Sequence, residues 1–520
     1  MNPSGWPARD SNHLVVSGTQ MAALEQQLFA SGLPVAALME KAALAVAAAI
    51  KSDCAERLQR HGAVVLVGPG HNGGDGLVIA RELHLAGIKV AIWSPFERHK
   101  PLTAEHLRHA QWLGIAQLGT PPDPAAPALW IDALFGIGQQ RPLEANLAAL
   151  LRQRQGLQRD ALVAIDVPSG LDDTSGQVLA TGSAIAACTY CIGLRKQGLL
   201  ADAALATVGQ LQRIELGLPA SLLQSLPPET PLCLDASDGA TAPWPRIDPA
   251  AAKYARGRLL LIAGSEAYMG AGHLALLGAS ASSIGSLRAA LPAALAEPLW
   301  QLLPHVVLQR SLACATNGAL LLGALEASDL ERLDAIALGP GIGALELAPL
   351  SATARDAEAR SWGQLQAFEG LLLLDADGLN RCSVGWLQGR RGPTWITPHR
   401  GELSRLWPSL AQTPALQAAA TAAAESGAVV LLKGARSVIA APSGERWQLA
   451  QANPAAARAG LGDVLCGYAA ARGALALASG HKCQPSWLAA AALEHALAGM
   501  QGGTPQAIAQ VLSMPTSWLR

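Results

Sequence analysis

The residues from Gly460 to Asp463 combine the features of a phosphate site and of a base. The chain reads Gly460-Leu461-Gly462-Asp463 before an apolar segment with helical spacing, and Asn453-Pro454 precedes it. Glycines at a helix start let backbone N–H groups close on an anion, and the helix dipole favours negative charge there. An aspartate at that place can take the proton of a hydroxyl that attacks the bound phosphate. The stretch therefore predicts phosphoryl transfer, although an aspartate at a helix start is also a common cap.

A second glycine-rich stretch covers residues 68–76, between a predicted strand at 64–67 and a helix expected from Leu77. It reads Gly68-Pro69-Gly70-His71-Asn72-Gly73-Gly74-Asp75-Gly76. A glycine loop at the carboxyl edge of a parallel sheet lies where open α/β folds bind ligands, and its amides suit a phosphate. Its glycine order is not GxGxxG, so ordinary dinucleotide binding is not indicated. The alternative is a tight turn in which Asp75 caps the helix.

Two further predicted strand ends carry polar side chains, at Asp132 and in the run from Asp166 to Ser169. If these strands are neighbours, Asn72, Asp132 and Ser169 converge as hard oxygen ligands for a cation. Asp166 then remains available for proton transfer. An aspartate alone is more often a turn or capping residue, but three such strand ends together with the glycine loop favour a site.

Positioning these residues requires parallel sheets, and the hydrophobic pattern predicts them. Short β-rich runs alternate with helical stretches in both halves of the chain, which is typical of α/β domains with a mostly parallel sheet covered on both faces. The predicted strands are residues 64–67, 89–93, 129–133, 162–167 and 189–194 in the first half, and 258–263, 336–338, 371–375, 394–397, 429–433 and 438–441 in the second. Helices are expected after Gly462 and around residues 487–500.

The chain is expected to form two domains. Its 520 residues exceed the roughly 250–300 that one hydrophobic core usually serves. Prolines accumulate and periodicity is lost near residue 230, so we place a proline-rich linker at about 217–250. The predicted domains are residues 1–225 and 226–520.

Composition excludes several classes of partner. The formal net charge is -1, and no basic run resembles a nucleic-acid or membrane footprint. No signal peptide or uncharged span of about 18 apolar residues is evident, so we expect a cytoplasmic protein without a membrane or nucleic-acid partner. Cys188 and Cys191 have CxxC spacing but lie in a strand-like run without a second ligand pair. Buried free thiols are the preferred interpretation over a redox or zinc site.

The first half resembles the epimerase domain that repairs hydrated nicotinamide dinucleotides. The similarity spans about residues 15–215 and lies in residues 38–43, 71–76, around Asp132 and in residues 165–170. The resemblance implies a Rossmann-like three-layer domain that interconverts the R and S hydrates, with potassium on Asn72, Asp132 and Ser169 and with Asp166 as the acid/base. It also implies substrate contacts from Asp166 and from His71, Asn72, Gly73, Gly74, Asp75, Gly136, Ile137, Gly138, Gln139, Gln140 and Arg141.

The second half, about residues 245–510, resembles the ribokinase-like ADP- or ATP-dependent dehydratase that acts on the S epimer of hydrated NADH and NADPH. The matching segments begin at Gly264, Gly339, Asp375, Thr397 and Lys433, and end with residues 453–463. The resemblance implies ADP, with ATP as the alternative, and Mg²⁺ as cofactors, and Asp463 as the base. Implied nucleotide contacts are Lys433, Gly434, Ala435, Arg436, Ser437, Gly460, Leu461 and Gly462, and implied substrate contacts are Ala271, Gly341, His399 and Asp463, with Asp377 and Asn380 facing the substrate.

The chain departs from the family pattern at a few positions. His71 stands where the first asparagine is usual, Ala455-Ala456-Ala457 replaces Gly-Met-Ala after Asn453-Pro454, and Ala459 and Leu461 stand where the pattern has glycine and threonine. Leu461 removes a hydroxyl donor, and the Ala459 methyl group hinders close backbone approach. Two alternatives therefore stay open for the second half: a small-molecule kinase, or a nucleotide-binding scaffold without turnover. A homo-oligomer is also expected.

Overall fold

The computed structural model describes residues 5–452 and 457–514, which divide by their contacts into two compact units. One unit contains residues 9–230, and the other contains residues 231–514 together with residues 5–8. The division between Thr230 and Pro231 lies within the proline-rich region. Asn453, Pro454, Ala455 and Ala456 lie outside the described residues, so the phosphate site predicted from residues 453–463 is described only from Ala457 onward.

A seven-stranded parallel sheet forms the centre of the first unit, in the order β4-β3-β2-β5-β6-β7-β9. A separate parallel pair joins β1 and β8. The strands are β1 (Val15–Val16), β2 (Ala63–Val67), β3 (Val90–Trp93), β4 (Ala116–Gln117), β5 (Leu129–Ala133), β6 (Leu162–Ile165), β7 (Cys188–Ile192), β8 (Arg195–Lys196) and β9 (Gln210–Ile214). The helices are α1 (Gly18–Ala30), α2 (Val35–Asp53), α3 (Ala55–His61), α4 (His71–Leu85), α5 (Pro101–Trp112), α6 (Ala145–Leu157), α7 (Gln197–Leu200), α8 (Leu205–Val208) and α9 (Ala220–Gln224).

The central strands β2, β5 and β6 are buried along their whole length. Their nearly continuous apolar sequences are what a sheet covered on both faces requires. Because β2, β5 and β6 are neighbours, the residues after them meet at one edge. This adjacency is the condition on which the predicted cation site depends.

Helix α4 begins at His71, six residues before the predicted start at Leu77. Glycine has a low helix propensity, which made residues 71–76 look like a loop. The helix packs so closely on the sheet that a Cβ at Gly73 would lie 2.0 Å from the Gly68 carbonyl oxygen, and one at Gly76 would lie 2.5 Å from the Ala133 Cβ. These glycines therefore permit close packing of a helix, and the glycine loop is confined to residues 68–70.

The second unit has a ten-stranded sheet in the order β10-β19-β18-β17-β16-β15-β14-β11-β12-β13. Its pairs are parallel except for β18, which is antiparallel to both neighbours. The strands are β10 (Leu232–Leu234), β11 (Arg258–Ile262), β12 (Ser286–Pro292), β13 (Val307–Leu312), β14 (Ala335–Leu338), β15 (Leu371–Leu374), β16 (Thr394–Ile396), β17 (Val429–Leu432), β18 (Val438–Ala440) and β19 (Arg446–Leu449).

Helices cover this sheet, and one of its apolar cores gathers side chains such as Leu260, Ile336, Leu372, Ile396 and Val430. The helices are α10 (Met269–Ala281), α11 (Ala293–Ala296), α12 (Leu299–Leu302), α13 (Ala352–Ala367), α14 (Ala376–Asn380), α15 (Val384–Gln388), α16 (Arg400–Leu406), α17 (Ala415–Ser426), α18 (Leu461–Ala478), α19 (Pro485–Met500) and α20 (Pro505–Leu512). Short 3₁₀ turns lie at Asp202–Ala204, Ala236–Thr241, Lys253–Arg256, Ala327–Leu330 and Pro408–Leu410.

The predicted strands of both halves are present, with ends that differ by one or two residues. The hydrophobic pattern did not reveal several short or polar strands, including β9, β10, β13 and β19. It also missed β12, which carries an arginine in an alanine-rich run. Strand β10 lies inside the predicted linker and pairs with β19. In the same region, Trp244 donates to the Glu494 carboxylate at 2.9 Å, so this proline-rich stretch is packed on the second unit.

Among the described residues, α18 is the one helix long and apolar enough to cross a membrane by length and composition, and most of it is buried inside the protein.

Candidate active sites

Asp166 occupies a sharp turn directly after β6. Its φ of 65° lies in the left-handed region, which is uncommon for an aspartate and typical of functional positions. The Lys196 ammonium, which is almost fully buried, donates to Asp166 Oδ1 at 2.5 Å, and the Ile192 N–H donates to the same oxygen at 3.2 Å. A Cβ at Gly136 would lie 3.4 Å from Oδ2. One carboxylate oxygen is thus anchored, while the other faces the Gly136 loop.

A cavity at this edge of the sheet contains most of the predicted substrate contacts. Its lining includes Glu25 and Lys100, which the sequence did not single out, and the predicted residues His71, Asn72, Asp75, Gly136, Ile137, Gly138, Gln139 and Asp166. Gln140 and Arg141 line a neighbouring cavity with Phe96 and Phe135. Gly73 and Gly74 are buried in α4, where Gly74 lies against Met39.

Acidic side chains in this cavity are unusually easy to protonate. Burial raises the pKa of Glu25 to about 7, and the Asp166 charge adds to the shift while Lys196 opposes it. Burial, followed by the charges of Asp166 and Glu25, raises the pKa of Asp75 well above its usual value. Burial alone would lower the pKa of Lys196. The nearby Asp166, Cys191 and Glu25 raise this pKa by more than burial lowers it, so the net pKa lies above the usual value of a lysine. Burial therefore disfavours the ionised forms of Glu25 and Asp75 beside the Lys196 ammonium group.

Two of the three predicted cation ligands, Asp132 and Ser169, lie near the ends of β5 and β6, and Asn72 lies in the first turn of α4, which follows β2. Asp132 is fully buried, and Ser169 donates to it through its hydroxyl at 2.7 Å and its N–H at 2.9 Å. Burial raises the pKa of Asp132 to about 6, against the hydrogen bonds from Ser169 and Leu134. Asn72 is also buried, and its side-chain Nδ2 has no hydrogen-bond partner within the described residues. The carboxylate, hydroxyl and amide oxygens of these residues are hard donors of the kind that potassium accepts, whereas the unpartnered Nδ2 is a hydrogen-bond donor and does not bind a cation.

Helix α18 starts the second site. Gly460 has a φ of 89° and precedes the first helical residue, Leu461, so Asp463 lies in the first turn. A Cβ at Gly462 would lie 3.6 Å from Lys433 Nζ. Burial, then the charges of Asp375 and Asp377, raise the pKa of Asp463 to about 6, and Lys433 opposes this shift. Asp463 is therefore poised to exchange a proton near neutral pH.

Lys433 connects the ends of neighbouring strands. It follows β17 and donates to Asp375 Oδ1 at 2.6 Å, and Glu402 lies 4.0 Å away. Burial lowers the pKa of Lys433, but Asp375 and Glu402 raise it to a net value above normal. Burial also raises the pKa of Glu402. Lys433 thus stays charged beside the N-terminus of α18, where it can meet a phosphate.

A partly apolar cavity opens beside these groups. Its lining includes the predicted nucleotide contacts Lys433, Gly434, Ala435, Ser437, Leu461 and Gly462. Arg436 is absent from this lining and donates to the Ala450 carbonyl at 3.0 Å. Leu461 is buried in the cavity wall, whereas Ala459 is exposed. The Ala459 methyl group therefore does not crowd the interior, and the substitution at Leu461 adds apolar surface to the wall.

The remaining predicted substrate contacts lie on other loops at this edge. Gly341 packs against Ala271, since a Cβ there would lie 2.6 Å from the Ala271 Cβ. Asp377 accepts from the Gly343 N–H at 2.9 Å and from Asn380 at 3.1 Å, which holds its loop in place. His399 caps α16, with Nδ1 accepting from Gly401 N–H at 2.9 Å. A histidine in a loop can make such a capping contact for purely structural reasons, without touching a substrate.

Sequence reasoning assigned no role to Lys196, Glu25, Asp375, Glu402 or His495. Lys196 stands between Arg195 and Gln197, so its burial was not evident from its neighbours, whereas Asp375 and Glu402 lie in segments already recognised as strand ends. Glu25 and His495 occur on helices far along the chain from the glycine stretches. His495 lines the second cavity, and burial lowers its pKa to about 4, so its ring is neutral near pH 7.

The cysteines and the acidic groups do not form a redox or metal centre in the described parts of the chain. All eight cysteines are free, and Cys188 and Cys191 lie in β7. Across residues 5–452 and 457–514, no cluster of three or more His, Cys, Asp or Glu side chains is arranged to hold a metal ion. A Mg²⁺ ion in the second site would therefore rely largely on nucleotide phosphates and water, as is usual for this ion.

Comparisons with known proteins cover both units. The family described as YjeF-related protein N-terminus matches residues 35–198, and that described as NAD(P)H-hydrate dehydratase matches residues 259–513. A bifunctional NAD(P)H-hydrate repair enzyme of Gloeobacter violaceus is 43% identical over 464 residues, which cover 87% of each chain. One from Synechocystis sp. is 40% identical over 461 residues, covering 87% of this chain and 84% of that one.

Among solved structures, an ADP/ATP-dependent NAD(P)H-hydrate dehydratase from Bacillus subtilis co-crystallised with ATP and Mg²⁺ has a TM-score of 0.42. It is 23% identical and covers 54% of this chain and 95% of its own. The two family matches and the parallel sheets confirm the predicted fold class, a Rossmann-like domain followed by a ribokinase-like domain. With relatives aligned across both domains, the chain belongs to the family of bifunctional NAD(P)H-hydrate repair enzymes.

Proposed function

We propose that the chain repairs hydrated NADH and NADPH in two steps. The first domain, residues 1–225, interconverts the R and S hydrates, and the second, residues 226–520, dehydrates the S hydrate with ADP, releasing AMP and phosphate. The observation that carries this proposal is that relatives named for this repair align across both domains. Joining both activities in one chain allows either epimer to be salvaged.

The geometry of the first site suits proton transfer at the hydrated ring. Asp166 Oδ2 faces the Gly136 loop inside the cavity, so it can take the hydroxyl proton of the hydrate. His71 and Lys100, near the start of α4, line the same cavity and suit the negatively charged phosphates of a dinucleotide.

The second site suits activation of a poor leaving group. Hydroxide leaves the ring with difficulty, whereas phosphate leaves readily. Asp463 takes the hydroxyl proton, the hydroxyl oxygen attacks the β-phosphate of ADP, and AMP departs. The phosphate then leaves the ring carbon with the electron pair of the carbon–oxygen bond, the adjacent carbon gives up a proton to the departing phosphate, and the electrons of that carbon–hydrogen bond restore the double bond. The amides at Gly460–Gly462 and the charge of Lys433 stabilise the developing negative charge. Bound Mg²⁺ supplies further neutralisation of the phosphates.

Following the recovery of reduced-nicotinamide absorbance tests both activities. With ADP and pure S hydrate, the wild type and Asp166→Ala restore the absorbance, whereas Asp463→Asn loses at least about a hundredfold in rate. With pure R hydrate, Asp166→Ala fails because no S epimer forms. Unchanged recovery in Asp463→Asn would refute the assigned base. Phosphorylated substrate without restored absorbance would identify a kinase, and no turnover by the wild type would favour a nucleotide-binding scaffold.

We also propose that potassium occupies the donor set of Asn72, Asp132 and Ser169. The ion would neutralise the buried Asp132 carboxylate and fix the loop that carries Ser169. Replacing potassium by a tetraalkylammonium ion is expected to lower the epimerisation rate of the wild type at least tenfold. Asp132→Asn should show the low rate in both salts. An unchanged wild-type rate without potassium would refute the site.

A cytoplasmic location and a homo-oligomeric state complete the proposal. Cell fractionation tests the first, and light scattering during size-exclusion chromatography tests the second. A membrane-bound fraction or a monomeric mass would contradict them.

A further inference from the structure

The first site contains two groups that the proposed base does not account for, Lys196 and Glu25. Lys196 is 1% exposed and reaches three acceptors: Asp166 Oδ1 at 2.5 Å, the Ile192 carbonyl at 2.6 Å and Cys191 Sγ at 3.8 Å. A buried ammonium group loses its hydration, and an ion pair with good hydrogen bonds must offset that cost. Its location, directly behind the proposed base, indicates a role beyond folding.

Glu25 is the second carboxyl of the cavity. It lies on α1, lines the cavity with Asp166, and is close enough to sense the charges of Asp166 and Lys196. The other titratable groups around it are Asp75 and His71 on α4, and Lys100 just before α5. Burial and the charges of Asp166 and Glu25 raise the pKa of Asp75. The cavity thus has an ammonium group bound to the proposed base and a second carboxyl group, Glu25, in the same lining.

We propose that Glu25 is the proton donor that works opposite the Asp166 base, and that Lys196 is the positioning residue that holds the Asp166 carboxylate and supplies its counter-charge. This inference rests on the epimerase function proposed above. The carbon that carries the hydroxyl is bonded to the ring nitrogen, so its configuration changes when that carbon–nitrogen bond opens and closes again.

The step balances with these two carboxyls alone. Asp166 takes the hydroxyl proton, the carbon–oxygen bond becomes a carbonyl, and the carbon–nitrogen bond breaks with its electron pair on nitrogen, which takes the proton of Glu25. After rotation of the open-chain aldehyde, the nitrogen attacks the other face, its proton returns to Glu25, and the oxygen regains the proton held by Asp166. Nothing is oxidised or reduced.

One negative charge moves from Asp166 to Glu25 and back during this cycle. The total charge beside Lys196 stays constant, which avoids creating a second buried charge. Asp166 Oδ1 is fixed by Lys196 and the Ile192 N–H, so Oδ2 keeps its direction into the cavity throughout. The arrangement accounts for both unexplained groups with the same chemistry.

The pH profile of epimerisation in the full-length protein, measured between pH 5 and 9 with potassium present, tests the inference. Glu25→Gln keeps the size of the side chain but cannot donate a carboxyl proton, so we expect a loss of about a hundredfold and no alkaline limb in the remaining activity. Glu25→Asp should retain the alkaline limb at a reduced rate. Glu105→Gln, an exposed charge in the same domain, serves as the matched control and should behave as the wild type.

Lys196→Met should lower the epimerisation rate at least tenfold and shift the acid limb of the pH profile. Lys196→Arg should recover part of the rate and should reverse part of the shift. A Glu25→Gln rate within threefold of the wild type, or a Lys196→Met profile lowered equally at every pH, would overturn the corresponding role. Limited proteolysis and circular dichroism of the same samples report whether the first domain, which carries Glu25 and Lys196, is folded. A wild type without epimerisation would instead refute the proposed function of the domain.

Discussion

The two proposed bases, Asp166 and Asp463, are each held in a conformation or environment that lowers the stability of the folded protein. Asp166 adopts a left-handed backbone conformation, and Asp463 keeps a carboxyl group where burial opposes its ionisation. Both costs are typical of functional positions, because the surrounding fold must compensate for them. The stability of the second domain should therefore rise when the Asp463 carboxylate is removed.

Asp463→Asn is expected to stabilise the second domain at pH 8 by about 1–2 kcal/mol, because a pKa raised from 3.8 to about 6 penalises the ionised form in the folded state. The penalty is fully present above pH 6, decreases as the pH falls through 6, and disappears below 3.8. Calorimetry at pH 8 and pH 4 measures it as a Tm increase that shrinks in acid. Asp356→Asn, an exposed control on α13, should leave the Tm unchanged at both pH values. Equal Tm values for Asp463→Asn and the wild type at pH 8 would contradict the argument.

At the scale of elements, the glycine stretches of the two domains perform different tasks. In α4 the glycines allow the helix to lie against β2 and β5, whereas Gly460 precedes α18 in a left-handed conformation, and Leu461 and Gly462 of the first turn line the second cavity. A glycine-rich sequence is compatible with both tasks. The distances around each Cα decide between them.

Gly73→Ala and Gly70→Ala separate packing from propensity in the same stretch. Helix propensity alone predicts that alanine at Gly73 stabilises α4 by about 1 kcal/mol. The added methyl group would lie 2.0 Å from the Gly68 oxygen, so we expect a net loss of about 1–3 kcal/mol in the free energy of unfolding. Gly70 has no neighbour within 4 Å of a Cβ, and alanine there should change stability by less than about 1 kcal/mol. Denaturant unfolding measures both, and a stabilised Gly73→Ala would refute the packing argument.

For the whole molecule, the two proposed reactions share one diffusible intermediate, the S hydrate. Among the described residues, the groups named at each site lie within one unit: those of the first between Ala22 and Lys196, and those of the second between Leu234 and Met500. Each active site should therefore work while the other is disabled.

Mixing Asp166→Ala with Asp463→Asn is expected to restore repair of the R hydrate. The Asp463→Asn chain supplies the S epimer, and the Asp166→Ala chain dehydrates it, although neither variant alone converts the R hydrate beyond its spontaneous epimerisation. Absorbance recovery at increasing protein concentration measures the effect. No recovery in the mixture, with each variant active in its own half-reaction, would show that the intermediate must remain on one chain.

The sequence by itself determined the α/β class, the central strands, the two-domain family and the residue types at the strand ends, because period-two and period-3.6 hydrophobic patterns and glycine stretches are local signals. It also identified Asp166 and Asp463 as candidate bases. Only the tertiary structure decided that α4 begins at His71, that strand β10 of the proline-rich region joins the second sheet, and that His399 caps a helix. The same holds for the partners of the bases: Lys196 reaches Asp166 across 30 residues and Lys433 reaches Asp375 across 58. Contacts between strand ends depend on sheet order and burial, and no local pattern in the chain encodes them.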